Sequence, residues 1–149
     1  MHIQELISCG VKWVNDIYIA GRKAGGILCQ AVQDFVLIGI GINSFQPDSV
    51  PSELQSRLGW VLDRSVSVDF DCLISTLYKN ILLFSETSDQ ALLEEYRTRC
   101  VHIDADIEIE KDNAQIFGRC VGIDDDFQLL VEFDGHVQAF SSGFMVLKI

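Results

Sequence analysis

The sequence predicts an α+β protein, with strands toward its two ends and helices between them. Three observations carry this. Residues 11–43 hold short apolar runs parted by polar or glycine turns, residues 69–99 repeat their apolar positions at three- and four-residue steps, and beyond Val101 the apolar period falls to two. A chain of 149 residues that is 48% hydrophobic can bury a real core, as one domain or as two small ones. We place the division between residues 1–99 and 100–149, where helical periodicity gives way to alternation.

Residues 1–10 read as a helix end, with Ile3, Leu6 and Ile7 on one side and Gly10 as C-cap. Residues 11–13 and 17–19 read as strands flanking the Asn15-Asp16 turn, and Ala20-Gly21 turns into a further strand through residue 32. Lys23 stands beside Gly25 and Gly26, where backbone can come close, which suits an anion; a solvated turn lysine is the plainer alternative. After a Gln33-Asp34 turn, residues 35–43 form a nearly unbroken apolar run, the pattern of a strand buried on both faces. Gly39 and Gly41 strip side chains from one face of that strand, which marks close approach of a ligand, another backbone or a packed helix.

Residues 44–52 form a loop with both prolines, 52–58 a short helix, and 59–68 irregular chain. Asp69 caps a helix whose Phe70, Leu73, Ile74, Leu77, Ile81 and Phe84 make a stripe expected to pack on the sheet. Ser88 opens a second helix through Leu92, Leu93 and Tyr96, with Arg97 and Arg99 at its C-terminal end. From Val101, Ile103, Ala105, Ile107 and Ile109 alternate with polar residues in a half-buried strand. Strands over 114–122, 127–133, 137–140 and 144–149 follow, with turns at Asp112-Asn113, at 124–126 and at Asp134-Gly135. Five such strands make a small antiparallel barrel.

A formal charge of −11 repels nucleic acid, although acidity that only keeps the protein soluble is the simpler reading. Cys9, Cys29, Cys72, Cys100 and Cys120 are odd in number and lack a Cys-x-x-Cys pair, so mostly buried, reduced thiols fit better than disulfides or zinc. The first residues show neither a basic n-region nor a long apolar h-region, and no apolar run nears the roughly 20 residues that span a bilayer. The expected setting is soluble and reducing: cytoplasm, or an organelle stroma or matrix. His2, His102 and His136 are scattered, so nothing supports a catalytic triad, and residues 124–126 lack the spacing of a calcium loop.

The stretch Lys12-Trp13-Val14-Asn15-Asp16, followed by Ile17-Tyr18-Ile19, Lys23 and Gly26-Ile27-Leu28, resembles the biotin protein ligases, or holocarboxylase synthetases. Their signature is Lys-Trp-Pro-Asn-Asp, an aromatic-rich strand, then Lys and Gly-Ile-Leu. Gly39-Ile40-Gly41-Ile42-Asn43 and Phe117-Gly118 with Gly122-Ile123-Asp124 fall on later family motifs, so the resemblance runs from about Val11 to the end. Val14 stands where the family has Pro, which frees φ and adds an N–H, so the Asn15-Asp16 turn is expected to be held less rigidly.

The resemblance implies part of a biotin/lipoate-ligase-type mixed sheet with helices on one face, followed by an SH3-like barrel. It implies ATP-dependent attachment of biotin, through biotinyl-5'-AMP, to a lysine of a biotin carboxyl carrier domain. Carried over residue by residue, Lys23 is the catalytic group, touching phosphate and the biotin carboxyl. Asn15 and Asp16 orient the ATP phosphates and hold Mg2+, with Asp16 as metal ligand and an Asx turn as their coexisting structural role. Gly26 lets backbone reach biotin, Gly39 and Gly41 line its pocket, Asn43 contacts the adenine, and Trp13 supports the core.

In that family a Gly-Arg-rich loop closing over the adenylate precedes this point. No Gly-Arg-x-x-Gly-Arg pattern occurs in these residues, so we expect a truncated or split ligase, completed by the missing N-terminal half or by a second copy in a homodimer. Two other readings stand beside it. One is a non-catalytic remnant that binds biotin, a carrier protein or its own twin. The other is a lipoate or octanoate transferase, against which the Lys-Trp-x-Asn-Asp motif and the C-terminal barrel speak.

Overall fold

The structure is a computed structural model that describes residues 9–111 and 114–147. The helix end expected over residues 1–8, His2, the Asp112-Asn113 turn and the last two residues of the final strand lie outside the described residues.

Strands β1 (Cys9–Lys12), β2 (Asp16–Ile19), β3 (Arg22–Val32) and β4 (Phe35–Ile42) form one antiparallel sheet in chain order. Two-residue turns set its register: Ala20 (φ 49°) and Gly21 (φ 74°) both take the left-handed conformation that matches the twist of a hairpin. Gly10, read from the sequence as a C-cap, lies inside β1 opposite Tyr18. A Cβ there would sit 2.1 Å from Val101 Cγ1, so glycine is needed where the chain around Val101 crosses β1. That crossing is sealed by the Val101 N–H donating to the Val11 carbonyl at 3.0 Å.

Three helices follow: α1 (Ser52–Gln55), α2 (Phe70–Ser85) and α3 (Asp89–Arg99). Asp69 and Ser88 cap the last two, accepting from the N–H groups of Cys72 and Ala91. Strands β5 (Asp106–Lys111), β6 (Ala114–Ile123), β7 (Leu129–Phe133), β8 (His136–Phe140) and β9 (Phe144–Leu147) form a second antiparallel sheet in the order β8-β7-β6-β5-β9. Among the described residues its edge strands β8 and β9 do not pair, so the expected five-stranded unit is present but not closed. Left-handed residues delay two strands relative to expectation: Asp104 (φ 62°) precedes β5 and Phe127 (φ 59°) precedes β7. Among the described residues parallel pairing is confined to isolated bridges, Val11 with Cys100 and Lys23 with Leu58.

The core gathers Trp13 and Leu93 with Ile107, Ile109, Cys120, Ile123, Leu129, Val131, Phe140 and Met145. Ile107 and Ile109 are buried while their strand neighbours are not, as the period of two requires. Elsewhere burial departs from the sequence reading. Every residue of β4 is exposed, and Leu28 and Phe35 are 72% and 71% exposed, so the apolar run is not a doubly covered strand. No residue of α2 is buried, and Phe70, Leu73, Ile74 and Phe84 of its stripe are exposed, so that stripe is not core. The cause is common to both: no described element covers these faces. The cysteines follow suit. Cys29 on β3 and Cys72 on α2 are exposed, and only Cys120 is buried. No described helix is long and apolar enough to cross a membrane.

Candidate active site

The register of the first sheet builds the site. Lys12 lies opposite Asp16 across β1 and β2, while Tyr18 lies opposite Lys23 and Asp16 opposite Gly26 across β2 and β3. Residues of β2 two apart share a face, so Lys12, Asp16 and Lys23 meet at one end of the sheet. The Lys23 ammonium donates to Asp16 Oδ1, and Lys12 Nζ lies 3.7 Å from Asp16 Oδ2. Two cations thus share one carboxylate.

The two lysines differ in setting. Lys12 is only 6% exposed, and burial, reinforced by Lys23 and Arg57 and opposed by Asp16, pushes its ammonium below the usual lysine value. Its Nζ also lies 5.7 Å from the centroid of the Phe144 ring, within cation–π range. The Lys23 side chain is 45% exposed, so its ammonium is open to solvent on the side away from Asp16.

Backbone contacts pin the parts around this cluster. The Asn15 amide donates to the Ile27 carbonyl while the Ile27 N–H donates to the Asn15 carbonyl at 2.9 Å, tying the turn to β3. A Cβ on Gly26 would stand 3.3 Å from Asp16 Oδ1 and 3.8 Å from Lys23 Nζ, so the missing side chain leaves room for the ion pair. A Cβ on Gly25 would stand 2.5 Å from the Gly41 carbonyl, which lets β3 and β4 approach closely there. Asn43 donates through Nδ2 to the carbonyls of Lys23 (3.1 Å) and Gly59 (3.2 Å), bracing β3 against the loop after α1.

All seven positions singled out from the sequence, Asn15, Asp16, Lys23, Gly26, Gly39, Gly41 and Asn43, line one cleft of about 830 Å3. Glycines make its floor, and Gly143 to Met145, at the start of β9, contribute a wall.

Comparison with known proteins supports the motif reading. Residues 2–43 match the Biotin/lipoate A/B protein ligase family. The biotin–[acetyl-CoA-carboxylase] ligase of Mycobacterium tuberculosis is 29% identical over 142 residues, covering 92% of this chain and 52% of that protein. The bifunctional ligase/repressor BirA of Bacillus subtilis is 33% identical over 140 residues, covering 85% of this chain and 42% of BirA. The chain therefore spans about half the length of the curated relatives it matches. The fold is shared with the biotin protein ligase of Aquifex aeolicus solved with biotin and ATP, at a TM-score of 0.72, 20% identity, and coverage of 94% of this chain and 62% of that one. The apo form of that ligase gives a TM-score of 0.75.

Over most of its length this chain is similar to biotin protein ligases.

Beside the biotin protein ligase signature, Trp13 is 3% exposed and donates its indole N–H to the Phe127 carbonyl at 3.1 Å, a core role. Three groups near the cleft were given no role in the sequence reading. Lys12 was legible as part of the motif, and its four-residue spacing from Asp16 around a tight turn is the signal that it joins the charge cluster. Arg57 is carried to the site by the loop after α1, whose Arg57 carbonyl accepts from the Lys23 N–H at 2.9 Å. Phe144 comes from the second sheet, and nothing local in the sequence announces it. Among the described residues no three His, Cys, Asp or Glu side chains converge as a metal cage.

Proposed function

We propose that this chain carries the adenylation centre of a biotin protein ligase, which attaches biotin to a lysine of a biotin carboxyl carrier domain. The observation that carries this reading is the Lys12–Asp16–Lys23 cluster set at a glycine-floored cleft. In the reaction the biotin carboxylate attacks the α-phosphorus of ATP and pyrophosphate leaves, giving biotinyl-5'-AMP. The carrier amine then attacks the acyl carbon and AMP leaves.

Such chemistry brings two anions together and asks the protein for fixed positive charge and alignment, with no protein nucleophile. Lys23, held on one side by Asp16, has donors left for the phosphate and the biotin carboxyl oxygen. Lys12 holds the second carboxylate oxygen, so Asp16 and Lys23 keep a fixed orientation as charge develops. Asn15, fastened to Ile27, keeps the phosphate-facing turn in place. Gly26, Gly39 and Gly41 leave the cleft open for the biotin ring. The Asn43 amide nitrogen is engaged with backbone, so contact with the adenine amine falls to its side-chain oxygen.

Asp16 is the carboxylate that lines the cleft, which suits a Mg2+ ion that keeps several waters and arrives on the nucleotide's phosphates. Bound there, the ion would neutralise phosphate charge. The two-domain division at residue 99 gives the second domain a share in the site through Phe144. The partners of this reading are the carrier domain and a covering N-terminal half or second copy, and its setting is the cytoplasm or an organelle interior.

A second reading, a binding subunit that holds biotin or a carrier without activating either, is favoured by the uncovered faces of β4 and α2. One experiment separates the two. With the N-terminal half of a related ligase supplied, Lys23→Ala should lower biotin-dependent ATP–pyrophosphate exchange by about 10²–10³ while biotin affinity moves less than about threefold. A drop in exchange below about threefold would remove Lys23 from the chemistry.

A further inference from the structure

The signature turn is held from outside its own sheet. Lys12 to Asp16 carry two of the three charges of the cluster, yet residue 14 within that stretch is a valine, 49% exposed, that adds little packing. Besides the Asn15–Ile27 ties to β3, polar contact with α3 and with the corner between β6 and β7 holds the turn. Tyr96 Oη donates to the Val14 carbonyl at 3.1 Å, and the neighbouring Trp13 indole donates to the Phe127 carbonyl at 3.1 Å. The Tyr96 and Phe127 rings meet edge to face, 5.8 Å between centroids and 72° between planes, so the two contacts form one unit.

The corner is itself fixed. Asp124 Oδ1 accepts from the N–H groups of Asp126 (3.0 Å) and Gln128 (2.8 Å). Arg97, next to Tyr96 on α3, donates to the Ile123 carbonyl through Nε (2.9 Å) and Nη2 (2.7 Å) and pairs with Asp125 at 3.0 Å. Two successive residues of α3 therefore hold both the signature turn and the corner behind it.

We propose that Tyr96 is a positioning residue, whose hydroxyl holds Val14 and so keeps the Lys12–Asp16 turn where the Asp16 carboxylate lies between Lys12 and Lys23. It acts through Val14 and touches no substrate. Burial holds the phenol well above its usual value, so the hydroxyl stays a donor at any pH at which the protein works. This device supplies by a hydrogen bond the stiffness that a proline at residue 14 would supply by its ring. Its consequence for catalysis rests on the adenylation reading; its effect on the turn does not.

Tyr96→Phe removes the hydroxyl and keeps the ring against Phe127. Amide exchange followed by NMR on the intact chain compares two N–H groups: Ile27, which donates to Asn15 across the turn, and Cys120, which donates to Ala105 at 2.9 Å in the second sheet. Exchange at Ile27 should rise about tenfold and at Cys120 less than about twofold, as loss of one local hydrogen bond predicts. An unchanged Ile27 overturns the proposal, and so does an equal rise at both sites, which would make Tyr96 a prop for the whole fold. With the N-terminal half of a related ligase added, kcat of pyrophosphate exchange should fall about fivefold at constant biotin KM. A raised KM at constant kcat overturns the positioning role. Absence of exchange from wild type and variant alike, with the Ile27 response intact, supports the role of Tyr96 and rejects the ligase reading.

Discussion

His102 is fully buried just past the end of α3, and neither ring nitrogen has a hydrogen bond of good geometry. Burial first, and the Lys12 charge second, push its imidazole down to about 4, against a smaller opposing pull from the Val11 backbone. The neutral ring matters to the site, because a second buried cation behind Lys12 would oppose the charge that holds Asp16. The folded value lies below the unfolded one, so this contribution to stability is complete above pH 6.5 and is lost as pH falls toward 4. At about 1.4 kcal/mol per unit the loss totals roughly 3 kcal/mol. Urea midpoints at pH 7 and pH 4 for the wild type and His102→Leu measure it. The variant should lose markedly less stability on acidification, and parallel losses in the two proteins would show that His102 does not titrate in this window.

At the scale of elements, the ladders depend on a few close crossings. A Cβ on Gly118 in β6 would stand 2.5 Å from the Glu132 carbonyl and 2.7 Å from Val131 Cγ1, and a ladder oxygen cannot move aside without breaking its pairing. Gly135, in the β7–β8 turn, meets nothing within 4 Å and is special only in its φ of 75°. Gly118→Ala should therefore cost about 2–3 kcal/mol through overpacking, against about 1 kcal/mol for Gly135→Ala through left-handed strain. Thermal melts of the two variants rank them, and an equal or inverted order would mean that β6 can shift to admit a methyl group. Elements marked by local chemistry were legible in the sequence: the Ala20-Gly21 and Asp134-Gly135 turns, the Asp69 and Ser88 caps, and the alternation over Ile107 and Ile109. Coverage was not, because the apolar runs of β4 and α2 state what a face favours and not what lies against it. The site divides the same way. Its seven cleft residues sit in two local motifs, whereas burial of Lys12 beside Phe144 depends on how β1 meets β9, a register between distant parts of the chain.

For the whole molecule, charge and apolar surface pull in different directions. The chain carries −11, yet the cleft sets Lys12 and Lys23 around one carboxylate, a local excess of positive charge on an acidic protein. Meanwhile Leu28, Phe35, Val36, Leu37 and Ile38 of the first sheet and Ile74, Leu83 and Phe84 of α2 stand exposed. Large apolar side chains exposed in such number mark surfaces that seek cover, and among the described residues β4 is an edge strand. The chain by itself should self-associate or bind a hydrophobic dye. It should also transfer little biotin, because none of the described residues closes over the cleft to keep water from a mixed anhydride. Supplying the N-terminal half of a related ligase in trans should lower dye binding and restore part of the transfer, since cover and site would then be together. Labelled biotin incorporated into a carrier domain, with and without the added half, reads the outcome directly. Robust transfer by the chain alone would sink the need for cover, whereas dye binding that falls while transfer stays absent would favour the binding-subunit reading over catalysis.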